Sequence, residues 1–202
     1  CWSLTVKGFK GGHSGMDIIL YRANATKVMT RALLPLLRDL DARLVAVEGG
    51  NMRNAIPREA VAVIAVPVDK LEAAKAVVAK VEAEVKVEYA ATDKDAKVYL
   101  EDAPLAAEAI EQKVALNLCK ALYGCPSGVE RMSDAMPGLV ETSNNMAIVK
   151  SENGVINVHS LMRSSVDTAK DDLAERMRAV FELAGAEVSF RGGYSGWAPN
   201  MA

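Results

Sequence analysis

The order in which strand-like and helix-like segments follow one another constrains the fold of this chain most. Apolar residues that alternate with polar ones predict strands, and apolar residues at three- to four-residue spacing predict helices. In the first half these patterns predict a strand at 2–6, a helix at 24–40, strands at 43–48 and 59–66, a helix at 71–89 and a strand at 97–100. This is the order of a split βαβ unit, whose two helices pack on one face of an antiparallel sheet.

The second half of the chain repeats nearly the same order. Its patterns predict a helix from about 104 to 123, strands at 129–132, 144–150 and 155–162, a helix capped by Asp167 and Thr168, and a strand at 187–191. Asn153 and Gly154 favour a type I′ turn, so the strands on either side of them should form a hairpin. We therefore predict an α+β fold with a mostly antiparallel sheet of about seven or eight strands, helices on one face, and two ferredoxin-like halves at about 1–102 and 103–202.

The composition of the chain argues against two common classes of partner. Its 24 basic and 26 acidic residues are interspersed and give a formal net charge of −2, so nucleic acid is not an expected partner. No apolar run approaches the roughly 20 residues that span a bilayer, so no membrane partner is expected either. Three cysteines are an odd set, which argues against a disulfide framework and predicts a cytoplasmic location. Cys1 stands in place of an initiator Met, inside a strand pattern, and we expect the chain to be part of a longer protein.

The chain contains two histidines, and each can be weighed separately. His13 lies in the glycine-rich turn 8–15, where the missing side chains allow other groups to approach closely. Its imidazole could donate a hydrogen bond to a developing oxyanion or shuttle a proton, or it could be an ordinary surface residue of a flexible turn. His159 lies inside the predicted strand 155–162 and is interpreted as structural.

Three polar segments could bind a ligand or serve only the structure around them. Asn54 lies in a polar connection between two strands, which is either an ordinary loop or a means of presenting the Asn54 amide to a ligand. Arg163 ends a predicted strand, and its guanidinium could pair with a ligand carboxylate or with Asp167 or Glu141. The run from 141 to 145 could bind substrate amide groups or satisfy the nearby backbone.

No metal site is predicted within the chain. It contains no His-x-Asp pair, no His-Glu-x-x-His sequence and no Cys-x-x-Cys pair. A catalytic zinc ion needs roughly three protein ligands, which two isolated histidines do not supply. The glycine-rich turn is not followed by Gly-Lys-Ser/Thr, so a phosphate loop is not predicted either.

Five segments taken together resemble the aminoacyl-histidine dipeptidase family. They are GGHSG at 11–15, GGNMRNAIPRE at 49–59, LVETSNNMAIV at 139–149, RSSVD at 163–167 and GYSGWAPN at 193–200. Each string alone is weak, but the five in this order are specific, and they extend over essentially the whole chain. The resemblance implies that residues 1–202 are the lid domain that this family inserts into its metal-binding catalytic domain, which would lie outside this chain.

The resemblance also implies roles for individual residues and for the parent enzyme. It makes His13 the catalytic lid residue that stabilises the oxyanion, and it makes Asn54 and Arg163 substrate-binding residues that hold the dipeptide backbone and its C-terminal carboxylate. The implied enzyme is a cytoplasmic hydrolase of Xaa-His and other unblocked dipeptides. Its two zinc ions would be bound by the absent domain, so this fragment would bind no metal and be inactive alone.

The expected partners are the dipeptide substrate, the enzyme's own catalytic domain and a second copy of the chain, bound through the lid. The alternative is a protein of another class. A free-standing ferredoxin-like module that binds a small molecule or drives oligomerisation has the same fold, because fold does not determine function.

Overall fold

The computed structural model describes residues 1–192, so the motif GYSGWAPN at 193–200 lies outside the described residues. The strands are β1 Trp2–Lys7, β2 Gly12–His13, β3 Arg43–Gly49, β4 Ala55–Ile56, β5 Ala60–Ala65, β6 Lys97–Asp102, β7 Gly128–Met132, β8 Val140–Glu152 and β9 Val155–Ser164. The α-helices are α1 Ala25–Asp39, α2 Leu71–Glu88, α3 Gln112–Gly124 and α4 Asp167–Leu183. Single 3-10 turns at Ile18–Leu20 and Val68–Lys70 complete the chain's regular structure over this range.

The first half of the chain has the complete split βαβ plan. Its four long strands lie side by side in the order β6-β1-β5-β3, and every neighbouring pair is antiparallel. The two short strands β2 and β4 pair only with each other, as a separate ribbon. This arrangement places α1 and α2 together, because each helix connects strands of the same sheet from the same side.

The second half extends the same sheet through its longest strand, β8. Along one edge, β8 pairs with β9 over almost its full length, while β7 and β3 pair with the opposite edge. The turn between β8 and β9 has positive φ at Asn153 (52°) and Gly154 (76°), so the predicted hairpin is confirmed. The result is one seven-stranded, mostly antiparallel sheet, which confirms the predicted α+β fold.

One hydrophobic core lies between the sheet and a single layer of helices. In that layer α1 contacts α2 on one side and α3 on the other, and α3 also contacts α4. Leu4, Leu44 and Ile64 from the sheet and Leu36 from α1 are fully buried in this core, and each such side chain contributes about 1.5–3 kcal/mol. Residues of both halves belong to the same cluster, so the halves pack as one body. None of the helices in residues 1–192 is long and apolar enough to cross a membrane.

Two predicted helix starts and one predicted strand were wrong, each for a physical reason. The third helix begins at Gln112, not near 104, because residues 104–109 are exposed and the Ile110 amide donates to the Leu44 carbonyl at 2.7 Å, which holds this segment extended. Residues 187–191 form no strand, since no strand of the described chain lies beside them. The N-cap position of α4 is Val166, so Asp167 is in the first turn of the helix instead.

Candidate functional site

Two connected loops carry the predicted residues His13 and Asn54. We refer to residues 8–24 as the first loop and to residues 50–59 as the second loop. The loops are joined by the β2–β4 pairing and by a hydrogen bond in which the Ser14 amide donates to the Asn54 carbonyl at 2.8 Å. His13 and Asn54, separated by about 40 positions in the sequence, are therefore held by adjacent backbone segments.

The side chain of Asn145 shows which face of the sheet these loops cover. Met146, the next residue in β8, points into the helix-side core, so Asn145 must point to the opposite face. There its Nδ2 donates to the Ala55 carbonyl at 2.7 Å and reaches the Arg53 carbonyl at 3.5 Å. Asn145 is 1% exposed, so a buried amide ties the second loop to the sheet on both sides of Asn54.

A single buried carboxylate holds both ends of the first loop. Asp93, which is 1% exposed, accepts the Lys10 amide at 2.8 Å through Oδ1 and the Ala23 amide at 3.0 Å through Oδ2. Oδ2 also accepts the Thr92 hydroxyl at 2.9 Å. Hydrogen bonds to a charged acceptor are stronger than neutral ones, so Asp93 closes the base of the loop that presents His13.

The half-buried His13 ring is oriented by backbone amides of its own loop. The Gly15 and Met16 amides donate to Nδ1, at 3.0 and 3.2 Å. Since Nδ1 is an acceptor in both hydrogen bonds, the proton of the neutral imidazole must lie on Nε2. His13 therefore presents an Nε2–H donor away from its loop, which is the tautomer that can donate to an oxygen atom of a ligand.

His13 and Asn54 line the same open cleft, whose volume is about 870 Å³. The rest of its wall comes mainly from the second loop, together with Gly12 and Asp17 of the first. Asn54 is exposed, and its side-chain amide forms no hydrogen bond with the described residues. Both predicted side chains can therefore contact one ligand in this cleft.

Arg163 lies beside His13, although it does not line that cleft. It pairs with Ser143 across β8 and β9 and so lies on the same face of the sheet as Asn145. A Cβ atom built on Gly15 would lie 3.1 Å from His13 Cε1 and 3.2 Å from Arg163 Nε, so both groups approach the same point. Arg163 Nε is buried without a hydrogen-bond partner, and its guanidinium forms no ion pair within residues 1–192.

Amide side chains of the polar run from 141 to 145 bind backbone carbonyls, which was one of the two interpretations of the sequence. The carbonyls, however, belong to segments that are distant in the sequence and not nearby. Asn144 donates to the Pro126 carbonyl at 2.7 Å, 18 residues away, and Asn145 reaches the second loop. Glu141 is ion-paired with Arg131 at 3.6 Å. The sequence does not indicate the role of Asp93, because its partners Lys10 and Ala23 are far away in the chain.

The second histidine stays apart from these residues. His159 is exposed in β9, opposite Ile148, and the structure gives it no contact with either loop. Cys119 and Cys125 are free and buried, and burial raises the pKa of their thiols to about 12 and about 11. A thiol that stays protonated is neither a nucleophile nor a good metal ligand.

The arrangement can bind oxygen atoms that carry negative charge. His13 supplies a neutral N–H donor, Asn54 an exposed amide, and Arg163 a permanent positive charge with an unsatisfied N–H group. A carboxylate and a polarised carbonyl oxygen of one small ligand are groups that such donors recognise.

Comparison with known proteins finds similarity to peptidases. Residues 4–93 match the family model of a peptidase dimerisation domain. The cytosol non-specific dipeptidase of Escherichia coli (strain K12) is 38% identical over 199 residues, which are 98% of this chain and 41% of that protein. The crystal structure of aminoacylhistidine dipeptidase from Vibrio alginolyticus superposes with a TM-score of 0.95 at 37% identity, over 98% of this chain and 41% of that one. The chain thus spans about two fifths of the length of these relatives, and it is similar to both of them over nearly all of its own residues.

Proposed function

We propose that this chain is the lid of a cytoplasmic dinuclear zinc dipeptidase that hydrolyses Xaa-His and other unblocked dipeptides. Residues 1–202 act as one unit that covers the substrate, and a separate catalytic domain binds the metal ions. The proposal rests mainly on one observation: two hydrogen-bond donors lie side by side. One is the oriented Nε2–H of His13, and the other is the buried guanidinium N–H of Arg163, which has no hydrogen-bond partner. The identity to a cytosol non-specific dipeptidase supports the reaction class and the compartment.

In this proposal His13 stabilises the oxygen of the scissile carbonyl as negative charge develops on it. Attack on the carbonyl carbon turns that oxygen into an oxyanion, and a donor already aimed at it needs no reorganisation. The Gly15 and Met16 amides fix the ring in the donor tautomer before substrate arrives. His13 therefore acts mainly in the transition state and acts little on substrate binding.

Arg163 and Asn54 hold the C-terminal carboxylate and the backbone of the substrate. A dipeptidase must measure the length of its substrate, and a cation that binds the C-terminal carboxylate does so. Arg163 has no ion-pair partner among residues 1–192, so no internal carboxylate competes with the ligand. Asn54, exposed in the cleft beside His13, donates to or accepts from the dipeptide backbone.

The exposed apolar residues of the first and second loops form the surface that meets the catalytic domain. Met16 and Tyr21 in the first loop are 75% and 62% exposed, Leu20 is 45% exposed, and Met52 in the second loop is 56% exposed. Large apolar side chains gathered around a polar site are typical of a surface that docks against another domain. Closure over the substrate would bury them and remove water from around the reacting carbonyl.

The residues that the structure describes do not fit a zinc site. Within residues 1–192, no group of three or more His, Cys, Asp or Glu side chains is placed to hold a metal ion. The proposal therefore assigns both ions to the catalytic domain and derives no step through them here. The match of residues 4–93 to a dimerisation domain supports a second copy of the chain as a further partner.

The proposal is tested by substituting Arg163 in the complete enzyme and comparing a dipeptide with its C-terminal amide. Arg163→Ala should raise KM for the free dipeptide by about 10- to 100-fold, the value of a lost charge-assisted pair. It should change KM for the amide little, because the amide offers no carboxylate. Arg43→Ala, which removes an exposed arginine of β3, is the matched control and should leave both substrates unaffected. An equal loss on both substrates would contradict a carboxylate clamp.

A further inference from the structure

The backbone of His13 is held at both of its polar groups by one residue, Asp17. The His13 amide donates to Asp17 Oδ2 at 2.8 Å. The Asp17 amide in turn donates to the His13 carbonyl at 2.9 Å. His13 thus has its N–H and its C=O bound by the same neighbour four positions later, which fixes the peptide planes on both sides of the residue.

The first loop makes room for this carboxylate and stabilises its charge. Gly12, at φ +142°, has no Cβ, and a Cβ built there would lie 2.5 Å from Asp17 Oδ2. Arg22 Nη1 lies 3.9 Å from the same oxygen and donates to the Gly11 carbonyl at 2.6 Å. A guanidinium that spans from the Gly11 carbonyl to the Asp17 carboxylate ties the start of the loop to its 3-10 turn.

The hold on the backbone determines where the His13 ring lies. The amides of Gly15 and Met16 reach Nδ1 only if the chain turns sharply after His13, and the hydrogen bonds of Asp17 produce that turn. Without them the ring can rotate about its side-chain bonds, and the Nε2–H donor loses its direction. A misplacement of about 1 Å costs a catalytic group up to about 100-fold in rate.

We infer that Asp17 is a positioning residue that holds His13 in its donor orientation. It does so through its hydrogen bonds with the backbone of His13. The inference rests on the proposed function for its effect on catalysis, whereas the hold on the loop can be measured in the isolated chain. The fragment is suited to this measurement, since its loops are anchored by Asp93 and Asn145 of the same chain.

The first experiment follows amide hydrogen exchange by NMR in the 202-residue chain. In Asp17→Ala, the amides of Gly15 and Met16 should exchange about 10- to 100-fold faster than in the wild type, because the turn that brings them to His13 Nδ1 loses the hydrogen bond from the His13 amide to the carboxylate. Asp17→Asn keeps an oxygen that can accept the His13 amide and should restore most of the protection. Asp102→Ala, an exposed aspartate of β6, is the matched control and should change neither amide.

The second experiment measures kcat and KM of the complete enzyme with the same three variants. Asp17→Ala should lower kcat by about tenfold or more with KM changed less than about threefold, because orientation of the donor matters mainly in the transition state. Unchanged exchange at Gly15 and Met16 would overturn the role of Asp17 whatever the kinetics. Faster exchange with unchanged kcat would instead overturn the catalytic role of His13, so the two failures are distinguishable.

Discussion

Removal of the Asp93 carboxylate should destabilise the chain far more than its place in a polar turn suggests. The polar sequence of the turn 89–96 suggests that its side chains are exposed to solvent, yet Asp93 is only 1% exposed. Its carboxylate accepts hydrogen bonds from the Lys10 and Ala23 amides and from the Thr92 hydroxyl. In Asp93→Ala the Ala23 amide, in a residue that is 1% exposed, keeps no partner. A buried donor left unsatisfied costs about 1–3 kcal/mol.

The other two donors lose less, because water can replace the carboxylate. Lys10 lies in an exposed part of the first loop and Thr92 is half-buried, so each loses about 1 kcal/mol or less. The free energy of unfolding of Asp93→Ala should therefore fall by about 3 kcal/mol. Urea unfolding of the 202-residue chain, followed by circular dichroism, measures this quantity directly.

The matched control for this prediction is Asp95→Ala. Asp95 is exposed in the same turn and its side chain forms no hydrogen bond or ion pair within the described chain, so its loss should change the free energy of unfolding by less than about 0.5 kcal/mol. Equal effects of the two substitutions would refute the conclusion that one buried carboxylate closes the first loop.

Three further predictions concern the site and the core. Gly15→Ala should fold normally but lower kcat/KM of the complete enzyme about tenfold, since its methyl group would lie 3.1 Å from the His13 ring; circular dichroism and steady-state kinetics separate the two effects. Asn145→Ala should speed tryptic cleavage within the second loop, because the loop loses its buried donor; an unchanged cleavage rate would argue against that anchor. The free energy of unfolding should decrease as the pH rises from 9 towards 12, because burial raises the pKa of Cys119 from 9.0 to about 12 and that of Cys125 from 9.0 to about 11. The unfolded thiols ionise first, so this stability is complete below pH 9 and is lost as the pH rises through the folded values. Urea unfolding between pH 8 and about 11 should show a weaker pH dependence in the double alanine variant of both cysteines.

The regular elements could be predicted from the sequence wherever burial imposes a period. Strand β5 buries alternate residues, and α1 buries a continuous stripe, so apolar spacing locates them. The Asn153-Gly154 turn predicted the long hairpin for a local reason, since both residues adopt positive φ. The segment before α3 was wrongly predicted as helix because its alanine-rich residues favour a helix in isolation. In the structure the Ile110 amide is bound to the Leu44 carbonyl instead.

The candidate site was harder to predict from the sequence than the regular elements, because tertiary contacts create it. The residue types of His13, Asn54 and Arg163, and their positions in motifs, were sufficient to nominate them. Their proximity follows from strand pairing and from the glycine at position 15, which no periodicity indicates. Asp93 lies 83 residues from Lys10 in the sequence, and no local pattern connects the two. Motifs can therefore name the side chains of a site, but not the residues that support them.

The role that we propose for His13, a transition-state donor, is tested most directly by comparing the only two histidines of the chain in the complete enzyme. His13→Ala should lower kcat by about 100- to 1000-fold, the usual effect of losing one oxyanion donor, and should change KM little. His159→Ala, which removes an exposed imidazole from β9, should leave both constants unchanged. A kcat for His13→Ala equal to that of His159→Ala would contradict the role of His13 as the oxyanion donor of the lid.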